Sequence, residues 1–547
     1  MKNNRKYKIL DNSIILLLSI SVVIFILLPF VSVFKEALII EDKLDLSFFI
    51  NTIKSNIDLL KNTLKLGLLT SILSLIASSI LSVYIYLSSE RAKKIFLILL
   101  LITLISPPFV TSLSFINLFG RRGLISYRLL GLRLNPYGLY GIVFMQVISD
   151  LSLNSLLLYS SLKNIDHQII DSARSLGAST TYIIKDILLP GLGAGIGACA
   201  VLSFFRAISD FSTPTIIGGS YNVLASESYF AVIAQGDLKR AAALNLLMLI
   251  PSILVYAIYI KKSASASLSS ISISDQAPIK RAGLLYNVIR LIAGILMFIL
   301  AALYFTIILS SFTKMELGNL TFSLQNFVDT KPYINGTLIR SIGYSLIAAT
   351  VGSFVGLLIG YYLKIRRIKF MKFVDFSASL PYIIPGTFFG LGYLLFFKNP
   401  PIQITGTALI VILNVTFKQL PFSSKVSNAA MEGINSDILN SIRDLGGSHF
   451  HEIKDAILPL SKDALGVSFI NAFRSTMTTI GSIIFLVYPS RKLLTLVMFD
   501  AIASGKYQVG SVIALLIIVT CLIFYAIYYL IARRNDVFTS KKSDKNL

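Results

Sequence analysis

The sequence predicts an all-α polytopic membrane protein built from two tandem six-helix lobes, and three observations support this fold class. Hydrophobic residues make up 55% of the 547 residues and charged residues 14%, with a mean hydropathy of +0.76. Soluble domains carry about 25% charged residues. Twelve apolar stretches are long enough to span a bilayer, and one polar segment occurs twice, 269 residues apart, close to half the chain length. Such a repeat predicts one unit present twice.

The twelve apolar stretches fall six in each half of the chain. A helix needs about 20 apolar residues to cross roughly 30 Å of hydrocarbon. The predicted spans are 13–34, 63–87, 94–118, 137–162, 193–217 and 241–260, then 285–312, 339–363, 373–397, 405–430, 463–487 and 508–532. Six spans separate the two copies, so both copies would share one orientation, as in a parallel repeat.

The first apolar run also resembles a signal peptide, because basic residues precede it. It is too long for the hydrophobic part of such a peptide and lacks a small-residue cleavage site, which predicts a first span that stays attached. The spans divide the chain into a first six-helix lobe at 1–260, a linker at 261–284 and a second lobe at 285–547. The linker is rich in Ser and bracketed by basic pairs, a composition that predicts a flexible cytoplasmic connection.

Basic residues predict that both termini are cytoplasmic, since Lys and Arg beside apolar spans accumulate on that side. Such residues precede the first span and follow the last one: Lys2, Arg5, Lys6, Lys8, Arg533, Arg534, Lys541 and Lys542. The net charge of +23 is explained by this topology, so no nucleic-acid partner is expected. One predicted outside loop contradicts the rule, and its role stays open; it carries Arg121, Arg122, Arg128 and Arg133.

Two prolines interrupt the third predicted span of each half, Pro107 and Pro108 in the first half and Pro381 and Pro385 in the second. Proline removes a backbone hydrogen bond and bends a helix. The sequence therefore predicts bent third spans, which act either as fixed kinks or as moving parts.

The repeated polar segments cover residues 165–190 and 434–459, and twelve of the 26 aligned residues are identical. In the first copy, apolar residues recur at helical spacing from Ile165 through Ile169 and Ala173 to Leu176, as they do in the second copy. This predicts a short helix with one apolar stripe. A glycine then ends that helix, and a second short helix stops at a proline. We call these stretches the first and second repeated segments.

A helix–glycine–helix element on the cytoplasmic side is typical of a docking surface. The alternative is an amphipathic connector that lies along the membrane interface. Such a connector needs only its apolar stripe, whereas polar residues also reappear in both copies, such as Arg174 and Arg443, and Lys185 and Lys454. This favours docking to one shared kind of partner.

The repeated segments resemble the EAA loop of ABC importer permeases, which reads Glu-Ala-Ala, three residues, Gly, nine residues, Ile, one residue and Leu-Pro. The first copy fits this spacing with Asp171-Ser172-Ala173, Gly177, Ile187 and Leu189-Pro190. The second copy has Asn440-Ser441-Ile442, Gly446, Ala456 and Leu458-Pro459. Both copies lack the leading Glu, and the second also lacks the Ile.

The resemblance implies that these loops are coupling helices that lie in grooves of ATPase subunits. The residues it assigns to this contact are Asp171, Ala173, Arg174, Gly177, Ile187, Leu189, Pro190, Asn440, Arg443, Gly446, Leu458 and Pro459. It also implies two copies of an ABC ATPase on the cytoplasmic side, an extracytoplasmic solute-binding protein, surrounding lipid and a place in the bacterial inner membrane. The chain has no GxxxxGK[ST] motif, so ATP would be used by the partner subunit.

Three further stretches, at 207–230, 380–394 and 473–500, look like the fused permeases of the ferric-iron type. Ferric iron is therefore the first choice of substrate, and phosphonates, sugar phosphates, thiamine and polyamines stay open as substrates of similar proteins. An alternative of another class is a secondary transporter driven by an ion gradient, which would need no docking helices.

No enzymatic chemistry is expected of this chain, nor any bound cofactor or resident metal. Cys199 and Cys521 lie singly in apolar stretches, so neither a disulfide framework nor a CxxC site exists. All three histidines, His167, His449 and His451, lie in or beside the repeated segments. The spans therefore offer no histidine for a metal site.

Ionisable residues inside the spans are the candidates for a translocation pathway, because each is costly in the bilayer unless it faces the interior or water. They are Asp150, Arg206, Asp210, Lys418 and Arg474. Arg206 and Asp210 are four residues apart and are predicted to neutralise each other on one helix face, with direct substrate contact as the alternative. The charges fall at matching depths in the two halves, which predicts a central cavity lined from both. A slight cationic excess would suit an anionic solute better than free ferric ion.

Overall fold

The computed structural model describes residues 2–40, 43–107, 110–121, 123–131, 135–263, 282–316, 319–488 and 491–543. These residues are almost entirely helical, with two short antiparallel hairpins, so the predicted all-α class is confirmed. Most of the predicted linker, residues 264–281, lies outside the described residues, as do Pro108, Arg122 and Arg133.

The first half of the chain contains fourteen described helices and one hairpin. They are α1 (Lys2–Val22), α2 (Leu28–Leu38), β1 (Ile39–Ile40), β2 (Lys43–Leu44), α3 (Ser47–Ser55), α4 (Ile57–Leu87), α5 (Glu90–Ile105), α6 (Val110–Phe119), α7 (Leu139–Lys163), α8 (His167–Ser175), α9 (Thr180–Tyr182), α10 (Leu189–Gly191), α11 (Gly193–Ser209), α12 (Ser212–Ile217), α13 (Leu224–Ile233) and α14 (Leu238–Ser263). Short π-helical turns connect α1 to α2 and α9 to α10.

The second half contains twelve described helices and one hairpin. They are α15 (Leu284–Phe312), β3 (Thr313–Glu316), β4 (Asn319–Phe322), α16 (Gln325–Ile334), α17 (Thr337–Gly360), α18 (Met371–Ser379), α19 (Gly386–Phe397), α20 (Ala408–Glu432), α21 (Ser436–Asp444), α22 (His449–His451), α23 (Leu458–Leu460), α24 (Lys462–Thr478), α25 (Leu494–Ala503) and α26 (Tyr507–Ser543). From α20 to α24, each helix begins and ends 269 residues after its counterpart in the run from α7 to α11.

Seven helices among the described residues are long and apolar enough to cross a membrane, or ten if each bent pair is one span. The predicted count of twelve spans is not confirmed. The two predicted spans that lack such a helix are 405–430 and 463–487. The first coincides with α20, which carries Lys418, Lys425 and Glu432, and the second with α24, which has only 17 residues.

The third predicted span of each half is a bent helix pair. The pair formed by α5 and the helical residues from Val110 onward is bent by 105°, and the pair formed by Met371–Tyr382 and α19 by 114°. The second bend falls between Pro381 and Pro385, where the chain forms a short 3-10 turn before α19 begins. Proline accounts for this position because it supplies no backbone donor and cannot continue the preceding helix.

The first helix of each half packs across the chain against the other half. Helix α2 packs on α19, and the Tyr393 hydroxyl of α19 donates at 2.7 Å to the Phe25 carbonyl in the π-helical turn just before α2. Helix α15 packs on α4 and α6, where Asn117 donates to the Ser310 hydroxyl at 3.1 Å. The division into lobes at 1–260 and 285–547 stays a prediction. In the structure, helices of each half contact helices of the other.

Small residues set the packing of the helices nearest the centre. Helix α17 carries glycines at four-residue spacing that face α20, and such residues let helix backbones approach closely in membranes. A Cβ atom at Gly356 would lie 2.6 Å from the Ser423 Cβ, and one at Gly360 would lie 3.0 Å from the Ser427 Cβ. This close contact leaves room only for glycine and holds α20, which carries Lys418, against α17.

Candidate functional site

The two repeated segments fold in the same way at their first helix. Helix α8 begins after Asp166, whose carboxylate accepts a hydrogen bond from the Gln168 backbone N–H at 2.9 Å. Helix α21 begins after Asn435, whose side-chain oxygen accepts from the Asp437 N–H at 2.9 Å. Asp and Asn are favoured at this position because their side chains satisfy a free helix N–H group.

The predicted glycines end both helices. Gly177 has φ of +82° and Gly446 has φ of +79°, a left-handed conformation that favours glycine. Their N–H groups donate to the Arg174 and Arg443 carbonyls, at 2.9 Å in each case. An added Cβ would meet no atom within 4 Å at either glycine. The backbone conformation, rather than a lack of space, therefore requires glycine here.

The apolar stripe of each first helix points outward. Leu176 and Leu445, at the same place in the two copies, are each 89% exposed, and the matching Ile169 and Ile438 are also exposed. The neighbouring face is buried through Ile170 and Leu439. Exposed apolar side chains rimmed by polar residues mark interaction sites. Each repeated segment thus holds an apolar tip away from the rest of the chain.

The residues that the resemblance assigns to the ATPase contact lie mostly on the outer face of these segments. Most are exposed: Asp171, Gly177, Leu189, Pro190, Asn440, Arg443, Gly446 and Pro459. Four are half-buried: Ala173, Arg174, Ile187 and Leu458. The exposed majority places this face on the surface of the chain.

The segments differ in how the shared arginine is paired. In the first, Arg174 lies 3.7 Å from Asp171 on the same helix, with both side chains partly exposed. In the second, Arg443 donates at 2.7 Å to Glu452, whose side chain is fully buried. The residue 269 positions before Glu452 is Ile183, which is also buried. One copy thus has a carboxylate where the other has a hydrocarbon side chain.

Sequence reasoning did not single out Glu452. Burial acts to raise the pKa of this carboxyl, yet hydrogen bonds from Arg443, Tyr361 and His449 outweigh it and hold the pKa below its usual value. Tyr361 donates its hydroxyl to Glu452 at 2.6 Å, and His449 Nδ1 lies 3.2 Å from Glu452. The sequence signal that could have revealed it is the alignment of Glu452 with Ile183 in two otherwise similar segments.

A cavity of about 320 Å³ lies between the halves and is lined by four of the five predicted pathway residues, Asp150, Arg206, Asp210 and Lys418. Its walls are related by the repeat. Seven pairs of lining residues are 269 positions apart: Ser149 and Lys418, Asp150 and Gln419, Arg206 and Ser475, Ser209 and Thr478, Asp210 and Thr479, Phe211 and Ile480, and Ser212 and Gly481. Both halves therefore contribute the same positions to one central space.

The predicted pairing of Arg206 with Asp210 is wrong. Arg206 instead lies 3.0 Å from Asp150, which is buried on α7. Helix α11 ends at Ser209, so Asp210 does not share its face with Arg206. The Asp210 carboxylate accepts from the Ser212 and Thr213 N–H groups, at 3.0 and 3.1 Å, at the start of α12. A helix N-terminus offers free donors, and they outcompete the arginine.

The two predicted pathway cations of the second half, Lys418 and Arg474, have no carboxylate within salt-bridge distance among the described residues. Lys418 donates to the Thr479 hydroxyl at 3.2 Å. Arg474 does not line the cavity; it donates to the Leu104 carbonyl at 2.6 Å and to Asn471 at 3.1 Å. Arg474 therefore connects α24 to α5, across the two halves.

No group of three or more His, Cys, Asp or Glu side chains that could hold a metal ion occurs within the described ranges. Asp150 uses one carboxylate oxygen for Arg206, and its other oxygen has no hydrogen-bond partner there. Both cysteines are free and buried.

A bundle of apolar helices around a polar cavity, with two similar exposed segments, has the features of a transport permease. Residues 352–537 match the family described as binding-protein-dependent transport system inner membrane component. This match covers part of the second half of the chain, which is therefore similar to the membrane components of transport systems that depend on a binding protein. The chain is accordingly a multi-pass membrane protein.

Relatives match over most of the chain. The ferric transport system permease protein FbpB of Actinobacillus pleuropneumoniae is 27% identical over 483 residues, covering 85% of this chain and 70% of the relative. A putative ferric transport system permease protein of Haemophilus influenzae is 28% identical, covering 78% of this chain and 70% of the relative. The thiamine transport system permease protein ThiP of Escherichia coli is 23% identical, covering 85% of this chain and 87% of the relative.

Proposed function

We propose that this chain is the translocation subunit of an importer that moves ferric iron across the bacterial inner membrane, driven by ATP hydrolysis in separate ATPase subunits. The observation that carries the proposal is the pair of repeated segments, each of which presents an exposed leucine, Leu176 or Leu445, at the tip of a capped helix. Two equivalent tips suit two copies of one partner. Apolar residues on a helix are the usual anchors in a groove.

The proposed cycle uses the direct connection between the repeated segments and the cavity. The first segment continues through α10 into α11, which carries Arg206, and the second through α23 into α24, which carries Ser475 and Thr478. When ATP draws the two ATPase subunits together, the segments move with them, and α11 and α24 change their separation across the cavity. Both termini and the linker lie on the ATPase side in this proposal. The chain itself binds no cofactor.

The choice of ferric iron is supported by the two relatives named for ferric transport. The lining residues offer hydroxyl groups and charges of both signs, without a metal-ligand cluster among the described residues. Iron would then cross without tight coordination, after selection by an extracytoplasmic binding protein. Thiamine is the second candidate, supported by the similarity to ThiP along the chain.

Replacing Gly177 and Gly446 by valine tests the docking role. Valine is strained at positive φ, so we expect ATP-dependent uptake and co-purification of the ATPase to be lost together. Gly433, which has φ of −84° and ends α20, is the matched control, because Gly433→Ala keeps an ordinary conformation and contact distance. If the double valine variant still binds its ATPase, the segments are not the docking sites. Uptake that continues without ATP in an ion gradient would favour a secondary transporter.

A further inference from the structure

We propose that Glu452 is a positioning residue that fastens the second repeated segment to the membrane helices, so that the two segments transmit ATPase movement unequally. This inference rests on the proposed function. The first segment has only hydrocarbon at the matching position, Ile183.

Glu452 joins the docking helix to a spanning helix. One carboxylate oxygen accepts from Arg443 of α21 at 2.7 Å, and the other accepts from Tyr361 at 2.6 Å. Tyr361 follows directly on α17 and is fully buried. A buried charge is stable only when it is paired and hydrogen-bonded, so Glu452 holds these two elements in one relative position.

The connection continues to the N-terminal helix. Tyr362, next to Tyr361, donates its hydroxyl to the Asp11 carboxylate of α1 at 2.9 Å, and Arg366 pairs with the other Asp11 oxygen at 3.0 Å. The Tyr361 and Tyr362 rings are in contact, with centroids 5.0 Å apart. On the other side of the segment, the Tyr7 ring of α1 lies edge-on to His451 at 5.3 Å. The second segment therefore contacts both α17 and α1.

The first segment has no buried carboxylate at the position that matches Glu452. Its Arg174 pairs at 3.7 Å within the same helix, where partly exposed pairs contribute little. One polar contact of this segment with a spanning helix is long, 3.4 Å between the Tyr86 hydroxyl and His167 Nδ1. Buried Ile170, Ile183 and Ile184 supply non-directional packing instead. Such packing permits sliding that a directed hydrogen bond resists.

Spin labels on the matched tips test this without the ATPase. Labels are placed at Leu176→Cys or Leu445→Cys, since both leucines are 89% exposed while Cys199 and Cys521 are buried. In the purified permease in lipid nanodiscs, Glu452→Gln should raise the mobile spectral fraction at Leu445 by about two-fold and leave Leu176 unchanged, because the charge-assisted bond to Arg443 is lost. An unchanged spectrum at Leu445 would overturn the proposal. Tyr361→Phe, which removes one hydrogen bond, replaces Glu452→Gln if that variant does not fold.

Transport per ATP hydrolysed is the second readout, with the purified ATPase in excess. Glu452→Gln and Arg443→Ala should each lower iron transported per ATP by about five-fold, and Glu452→Asp should recover most of it, because it keeps the charge. Ile183→Leu, at the matching position of the first segment, is the control and should change the ratio by less than about two-fold, because it conserves volume. Equal losses from Ile183→Leu and Glu452→Gln would overturn the proposal. Failure of the proposed function would differ, since wild-type uptake would not need ATP while the spin-label result would stand.

Discussion

The two repeated segments share their backbone and their exposed tips but differ beneath the surface. Asp166 and Asn435 cap the same helix, Gly177 and Gly446 end it, and equally exposed leucines follow the helices. Underneath, one copy rests on Ile183 and the other on a buried carboxylate with three partners. The two copies have thus kept the same exposed surface, while the attachment to the membrane helices has diverged.

The cavity walls show the same kind of divergence. Matching positions line the space from both halves, yet the first half contributes Asp150, Arg206 and Asp210 where the second has neutral residues. The second half contributes Lys418 where the first has Ser149. The charges of the first half satisfy one another or a helix end, whereas Lys418 donates to the Thr479 hydroxyl. The two walls of the cavity therefore differ in charge.

The largest effect is expected from Arg206→Ala, which leaves the buried Asp150 without its ion pair. Removing one partner of a buried pair costs about 3–5 kcal/mol; because Arg206 keeps 36% of its side chain exposed, we expect about 2 kcal/mol. Thermal unfolding in detergent would measure this, together with uptake. The double variant with Asp150→Asn should recover stability. If Arg206→Ala is as stable as the wild type, the ion pair between Arg206 and Asp150 does not stabilise the fold.

Glu452→Ile makes the second segment resemble the first and comes next in size. It leaves the buried Tyr361 hydroxyl and the Arg443 guanidinium without an acceptor, at a cost of about 1–3 kcal/mol. Ile183→Leu is the control in the other copy and should cost less than about 1.5 kcal/mol, since it conserves volume. Limited proteolysis within 434–459, compared with 165–190, reads out each segment separately. If both variants protect their segments from the protease equally well, Glu452 stabilises the second segment no more than an isoleucine would.

Gly356→Ala should destabilise the contact between α17 and α20 by about 1–3 kcal/mol, because a new Cβ overpacks against Ser423. Ser78 in α4 is the first-half control, since its buried hydroxyl has no partner among the described residues and Ser78→Ala removes only that group. Chemical unfolding of the purified protein would compare them. If Gly356→Ala leaves the free energy of unfolding unchanged, the contact between α17 and α20 tolerates a substitution as well as Ser78 does in the first half.

The smallest effect on stability belongs to Lys418→Ser, which places the residue of the first half at the matching position. No carboxylate of the described chain loses a partner, so we expect a change within about 0.5 kcal/mol. The uptake rate should nevertheless fall, because the solute loses the cation of the second wall. An unchanged rate would show that the orientation of cavity charge does not matter for transport.

Particular residues show how far sequence reasoning reaches in this protein. The helices, the glycine caps and four cavity residues could be predicted, because hydropathy, left-handed glycines and the cost of intramembrane charge act locally or through the repeat. The partner of Arg206 could not, since it depends on α11 ending one residue before Asp210. Glu452 escaped because its meaning comes from Tyr361, 91 residues away. The crossing of α2 and α15 to the opposite half is likewise a packing outcome that periodicity does not encode.

The most direct test is ferric iron uptake into proteoliposomes that contain this permease with its ATPase, binding protein outside and ATP inside. We predict accumulation that requires ATP, is unaffected when ion gradients are collapsed, and falls to background when Gly177 and Gly446 are both replaced by valine. Accumulation driven by an ion gradient without ATP, or undiminished by the double replacement, would contradict the account.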